Sequence, residues 1–328
     1  MLHILPSPAM DAVAYLENRL RHRSGVRYSD ALQQTYEELD RMLGEKLGED
    51  AFGMSSMCGL LSYWSEAVRE PLATMTVPRL HEILSDVDTF DRTVRPRITN
   101  GFLKSFLHPL LDHLHSEDFQ IYLKDINTLA SSGFPEYYHE HVMPLVNAEI
   151  ETKHRLYEED CIDDILVHVA RMKGQPKTDI TIYVSFFSYP VAFSLQGGFL
   201  SCFGTNRSRR PSYLIAHECM HGFASAETTE LYRNYVNSTD ELREQHRRLI
   251  EDYHSGDEEE MVMAAEQYIL CLTGSDPAEE LEISANRYDG CCPNVKIFLE
   301  KLLAEPEPVT DYDTWMQKTL KSLLSSSR

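Results

Sequence analysis

No stretch of the 328-residue chain is apolar for long enough to cross a bilayer, so no membrane span is expected. The opening, "MLHILPSPAMDAVAYLENRL", lacks a basic region leading into an apolar one. It reads as a short lead and then a helix, not a signal peptide. There is no CxxC pair. The seven cysteines, Cys58, Cys161, Cys202, Cys219, Cys271, Cys291 and Cys292, are an odd count in a long chain. That excludes a disulfide framework, and adjacent Cys291 and Cys292 are expected as reduced thiols. A cytoplasmic location is the simplest inference. GxSxG, Walker and GxGxxG motifs are absent. Basic residues are few, 31 against 52 acidic, for a net charge of -21. Such a chain repels nucleic acid and anionic lipid unless it carries a basic patch. The one candidate, "NRSRRP" from Asn206 to Pro211, reads as a solvated loop.

What is present fits a globular protein: 42% hydrophobic and 25% charged residues, in a length suited to one large domain or two ordinary ones. The first half reads as successive helices. "SPAMDAVAYLENRLRHR" offers Ser7 as a cap and Pro8 at the first helical position. "SDALQQTYEELDRMLGEKLG" carries Ala31, Leu32, Tyr36, Leu39 and Leu43 at helical spacing, with Gly48 as a stop. In the run from Pro135 to Gly174, Pro144 marks a kink or boundary between two helices. The texture changes near residue 173. "ITIYVSFF" is rich in β-branched and aromatic residues, and Gly197-Gly198 separates two apolar runs, a hairpin signal. A small antiparallel sheet of about three strands is expected there, then helices to the end. The predicted class is α+β, mostly α. A helical domain is placed at 1-172 and a second domain, holding the sheet and the later helices, at 173-328.

"SYLIAHECMHGFASAE", Ser212 to Glu227, contains HExxH. Residues four apart lie one turn apart on the same helix face. His217 and His221 can therefore direct two imidazole nitrogens at one ion. Glu218 points to the side, within reach of a metal-bound water whose pKa zinc lowers toward neutrality. The flanking residues are apolar or small, so the helix is expected to be buried. Two buried histidines and a buried glutamate need partners, and a metal supplies them.

Residues 178 to about 272 resemble the catalytic core of zincin metallopeptidases in the order of sheet, HExxH helix and later helix. The resemblance implies a Zn2+ cofactor, a peptide substrate and a third metal ligand. The extended metzincin motif is absent: Ala224 stands where it needs glycine and Glu227 where it needs histidine. The gluzincin branch instead takes a glutamate from a downstream helix. "DEEEMVMAAEQYIL" supplies Glu258, Glu259, Glu260 and Glu266. Helical spacing puts Glu258 over the centre of the apolar stripe and Glu259 at its edge, where a ligand facing a cleft sits. The spacing of Val262, Ala264 and Tyr268 after Glu259 also resembles some gluzincin third-ligand helices. Glu259 is the first choice, then Glu258, then Glu260. An oxyanion donor is left open among Tyr288, Tyr232, Tyr235, His246, His254 and Tyr268.

His108, His113 and His115, and likewise His139 and His141, have spacings that make poor ligand pairs. Cys219 is expected to pack. The expectation is a zinc metallopeptidase held by His217, His221 and Glu259, with Glu218 as base. An edge strand from "VAFSLQ" or "FLSCF" would align the substrate. The alternative is a zincin-like module that binds a peptide or protein without hydrolysing it.

Overall fold

A computed structural model describes residues 1–23, 30–48, 54–99, 101–176, 179–188, 193–204, 210–253 and 255–326. His254 and positions 206–209 of the "NRSRRP" loop lie outside the described residues. The fold is mostly helical with one small sheet, as the sequence implies. Contacts divide the chain into two units, not split at residue 173. The first comprises 1–99, 103–155 and 179–206; the second comprises 100–102, 156–178 and 207–328.

The first unit carries the sheet. Its strands are β1 (Leu2–Pro6), β2 (Ile180–Ser185), β3 (Phe193–Leu195) and β4 (Gly198–Cys202), in the order β1-β2-β4-β3. The expected hairpin is present: β3 and β4 pair antiparallel, and Gly197 adopts φ 74° between them. The sheet as a whole is mixed, not antiparallel. β2 pairs parallel with β4 on one side and with β1 on the other, Leu2 opposite Ile180. Periodicity cannot reveal β1, because five residues at the chain start gain strand geometry only from a partner 178 positions away. Ile4, Ile182, Val184, Phe199 and Leu200 are buried around the central strand. Gly198 is required there: a Cβ would stand 1.9 Å from the Thr181 carbonyl oxygen.

The first helix, Pro8–Arg23, begins as expected, with the Ser7 hydroxyl accepting from the Met10 amide at 3.4 Å. The second, Asp30–Leu43, ends before Gly48, continuing only as a short 3-10 turn to Lys46. The aromatic rings of Tyr15, Tyr36, Phe134 and Phe187 pack together beside the sheet. Pro144 makes no break. A π turn over Tyr138–Val142 leads into the helix Met143–Glu159, whose first turn tolerates proline's missing N–H. The break comes at Cys161, which takes a left-handed conformation (φ 55°) before the helix Ile162–Met172.

Apart from one isolated antiparallel bridge between Lys173 and Asp311, helices joined by turns make up the described residues of the second unit. At its centre runs Glu259–Leu272, buried on every side from Glu259 to Leu270. Such a helix has no solvent face, which is why its apolar stripe is ill-defined in sequence. Around it pack the HExxH helix (Tyr213–Met220), Ile162–Met172, Pro277–Asn286 and Pro293–Leu303. Ile215, Ala216, Met220, Val262, Ala265, Ile269, Val295 and Phe298 fill the space between them.

Candidate metal centre

The HExxH helix is fixed at both ends by charged side chains. At its start, Asp160 accepts from the Ser212 amide at 2.9 Å and from the Ser212 hydroxyl. Arg210 donates to Asp160 at 2.7 Å and to the Leu270 and Thr273 carbonyls at 3.2 Å, at the far end of the central helix. At its close, His221 leaves the helix (ψ 145°) and Gly222 turns with φ 71°. The Lys173 ammonium donates to the carbonyls of Cys219 (2.9 Å) and His221 (3.4 Å), satisfying orphan acceptors of the last turn. The two crossed helices thus have a set depth and rotation, which brings His217 and His221 against the glutamates of the central helix.

Those glutamates divide their roles. Glu266, fully buried, lies 3.0 Å from Nδ1 of His217. Glu258 lies 3.0 Å from Nδ1 of His221 and accepts from the Gly222 amide at 2.9 Å. Since a carboxylate only accepts, each Nδ1 carries a proton, and in the neutral imidazole that a metal requires each Nε2 would present a lone pair. Both lone pairs face Glu259: Nε2 of His217 is 3.7 Å from its Oε1, and Nε2 of His221 is 3.9 Å from its Oε2. Among the described residues, His217, His221 and Glu259 are the one trio of ligating side chains grouped closely enough to share an ion, within 4.8 Å of one another. Tetrahedral ligands at zinc distances stand about 3.3 Å apart, so the trio would close by up to about 1.5 Å around an ion. Glu260 turns away. It accepts from Asn294 at 3.0 and 2.8 Å, capping the helix Pro293–Leu303, and from the Tyr232 hydroxyl.

Glu218 is 4% exposed, and its Oε2 has no hydrogen-bond partner among the described residues. Burial pushes its carboxyl pKa up, against the pull of His217 and His221. For His221, burial pushes down, but the Glu258 hydrogen bond and the carboxylates of Glu258, Glu218 and Glu259 outweigh it and bring the imidazole up to about 9. Four buried carboxylates, Glu218, Glu258, Glu259 and Glu266, face two cations, Lys173 and Arg287. With both histidines neutral, as metal ligation requires, that leaves a formal charge of -2, which a divalent cation would offset; without one, a proton on His221 offsets part of it. A half-filled set of this kind is costly, and the donor types, two imidazoles and a carboxylate, suit zinc.

Of the six residues considered as oxyanion donors, Tyr288 meets the trio: its hydroxyl donates to Oε1 of Glu259 at 3.3 Å. Burial pushes its pKa up to about 12. Tyr232 is committed to Glu260, Tyr235 to Asn294, Tyr268 to the Val309 amide and His246 to Asp257. His113, His115, His139 and His141 are exposed or engaged elsewhere and join no ligand group. Cys219 is held in the folded helix with its thiol pushed up to about 12 by burial.

Arg287, Lys173 and the Arg210–Asp160 pair carry no sequence signature, because each acts across long separations on a carbonyl or carboxylate. β3 and β4, expected to align a substrate, belong to the first unit, whereas the candidate centre lies wholly in the second. Among the described residues, no helix is long and apolar enough to cross a membrane. Comparison with protein-family models, curated proteins and solved structures gave no match, so the functional reading rests on the residues themselves.

Proposed function

We propose that the protein is a zinc-dependent metallopeptidase of gluzincin type, with His217, His221 and Glu259 as metal ligands and Glu218 as general base. One observation carries the reading. Both Nε2 atoms converge on Glu259 while each Nδ1 is held by a different buried glutamate. That is the pattern in which outer carboxylates fix the tautomer and orientation of metal-binding histidines. When bound, zinc supplies a Lewis acid that polarises a carbonyl and lowers the pKa of water toward neutrality. Glu218 has the free, buried oxygen that a proton acceptor needs. The surplus negative charge of the chain accords with a peptide substrate over nucleic acid. A cytoplasmic setting belongs to the same proposal, in keeping with seven free cysteines.

The test is metal content by mass spectrometry on the purified protein and on His217→Ala, Glu259→Ala and Glu218→Gln. The expected result is about one zinc per chain, lost in the first two variants and kept in the third. Peptide hydrolysis should be present in the wild type and absent from Glu218→Gln. A wild type that takes up no zinc would sink the proposal. Zinc without hydrolysis of any peptide in a broad library would favour the non-hydrolysing binding module.

A further inference from the structure

Arg287 comes directly after the helix Pro277–Asn286 and is only partly committed. One terminal nitrogen, Nη1, donates to Oε2 of Glu266 at 2.9 Å, and the guanidinium carbon lies 5.9 Å from the Tyr288 ring centre. Its side chain is 22% exposed. Among the described residues its Nε and second terminal nitrogen take no hydrogen bond, and neither is buried. A partner for Glu266 alone needs one nitrogen. The remaining two form a fork shaped for a carboxylate.

The backbone around it is under tension. Tyr288 (φ 50°, ψ 45°) and Asp289 (φ 50°, ψ 37°) both adopt the left-handed conformation, and Gly290 comes next at φ 75°. Each non-glycine residue held there costs on the order of 1 kcal/mol or more, and such strain concentrates at ligand-holding segments. Here it is maintained by Tyr288 on Glu259 and by the Tyr253 hydroxyl, which donates to Asp289 at 2.7 Å. The strained turn sets Arg287 and Tyr288 side by side over two glutamates of the centre.

The reach is short. Two hydrogen bonds and the width of one imidazole separate the Arg287 guanidinium from the face of His217 that looks toward Glu259. An extended peptide advances about 3.3–3.6 Å per residue, so one or two residues beyond a carbonyl at the trio span that distance. In a neighbourhood of four carboxylates, an arriving anion needs a cation with open donors, and Arg287 has two, on a side chain that is 22% exposed, whereas the Lys173 ammonium is engaged by the Cys219 and His221 carbonyls.

We infer that Arg287 binds a carboxylate of the substrate one or two residues beyond the scissile bond, making the preferred substrates short peptides that end there in a free C-terminus. This rests on the metallopeptidase reading and adds its substrate class. The experiment is isothermal titration calorimetry on the Glu218→Gln protein loaded with zinc, its zinc content measured in parallel, so that binding is read without turnover. The probes are N-acetyl-trialanine as the free acid, the same peptide as the C-terminal amide, and the amide of N-acetyl-Ala-Ala-Glu. The free acid should bind about 10- to 100-fold more tightly than its amide, the range of a charge-assisted contact. Adding Arg287→Lys should reduce that ratio and Arg287→Met should bring it to about one. The ratio is taken within each variant, so a change in zinc affinity cancels. A glutamyl amide that binds as tightly as the free acid, with the same dependence on Arg287, keeps the carboxylate and assigns it to a side chain. Equal binding of all three probes irrespective of Arg287, no binding of any, or a preference that survives Arg287→Met overturns the inference while zinc content stays intact. Failure to take up zinc overturns the metal reading first, and is seen separately.

Discussion

Changing Glu218 to Gln should make the metal-free protein more stable while it removes activity. The residue is 4% exposed, one of its oxygens has no hydrogen-bond partner among the described residues, and burial raises its pKa, so the charged form is disfavoured where it sits. An unpaired buried polar group costs about 1–3 kcal/mol, and a charged one more. Glutamine has nearly the same shape and leaves an amide in place of the carboxylate. The unpaired neutral group still costs, but less than the charge, for a net gain of about 1 kcal/mol. For a chain of 328 residues that corresponds to a rise in Tm of about 1–2 °C. Removing a general base costs about 10²- to 10⁴-fold in rate. The assay is thermal or urea unfolding in a chelator, beside zinc content and peptide hydrolysis, for wild type and Glu218→Gln. Loss of stability by about 1 kcal/mol or more would refute the reasoning, since it would mean that the carboxylate is satisfied in the fold. A stabilised variant that still hydrolyses peptides would refute the role of base.

The two inner glutamates that look alike in sequence should part company. Glu266→Gln should weaken zinc binding about 10- to 100-fold in a competitive chelator titration, because His217 loses the carboxylate that orients it. Glu260→Ala should leave zinc stoichiometry unchanged but cost about 2–3 kcal/mol in urea unfolding, as Tyr232 and Asn294 lose their acceptor. In the first unit, Asp11 is fully buried and accepts from Tyr138 (2.6 Å), the Phe187 amide (3.2 Å) and Ser185. Burial dominates and pushes its pKa up from 3.8 to about 6, against those hydrogen bonds. The folded state then binds this proton more tightly than the unfolded state. Its contribution is most favourable below about pH 4 and falls by about 3 kcal/mol as pH rises through about 6. Asp11→Asn should remove that part of the slope in unfolding measured from about pH 4 to 7, and an unchanged slope would contradict it. Gly198→Ala should destabilise by about 3 kcal/mol by chemical unfolding, since the new methyl meets the Thr181 carbonyl inside the β2–β4 ladder.

The sequence by itself determined what local chemistry determines. Helical spacing and capping residues announced most helices, a Gly-Gly pair announced the β3–β4 hairpin, and four-residue spacing put His217 and His221 on one face. It also supplied the short set of glutamates from which the trio draws. Tertiary structure decided the rest. β1 is a strand only because β2 pairs with it from 178 residues away, and that parallel pairing carried the sheet into the first unit. Glu258, Glu259, Glu260 and Glu266 share one helix, so spacing alone ranks them weakly. Their roles come from the crossing of that helix with the HExxH helix, fixed by Arg210 and Asp160 at one end and Lys173 at the other. Arg287 and Tyr288 reach the glutamates because a left-handed turn, unfavourable in isolation, is held by contacts made across the fold. Spacing encodes which face a residue occupies, whereas the partner on that face is chosen by packing between segments far apart in the chain.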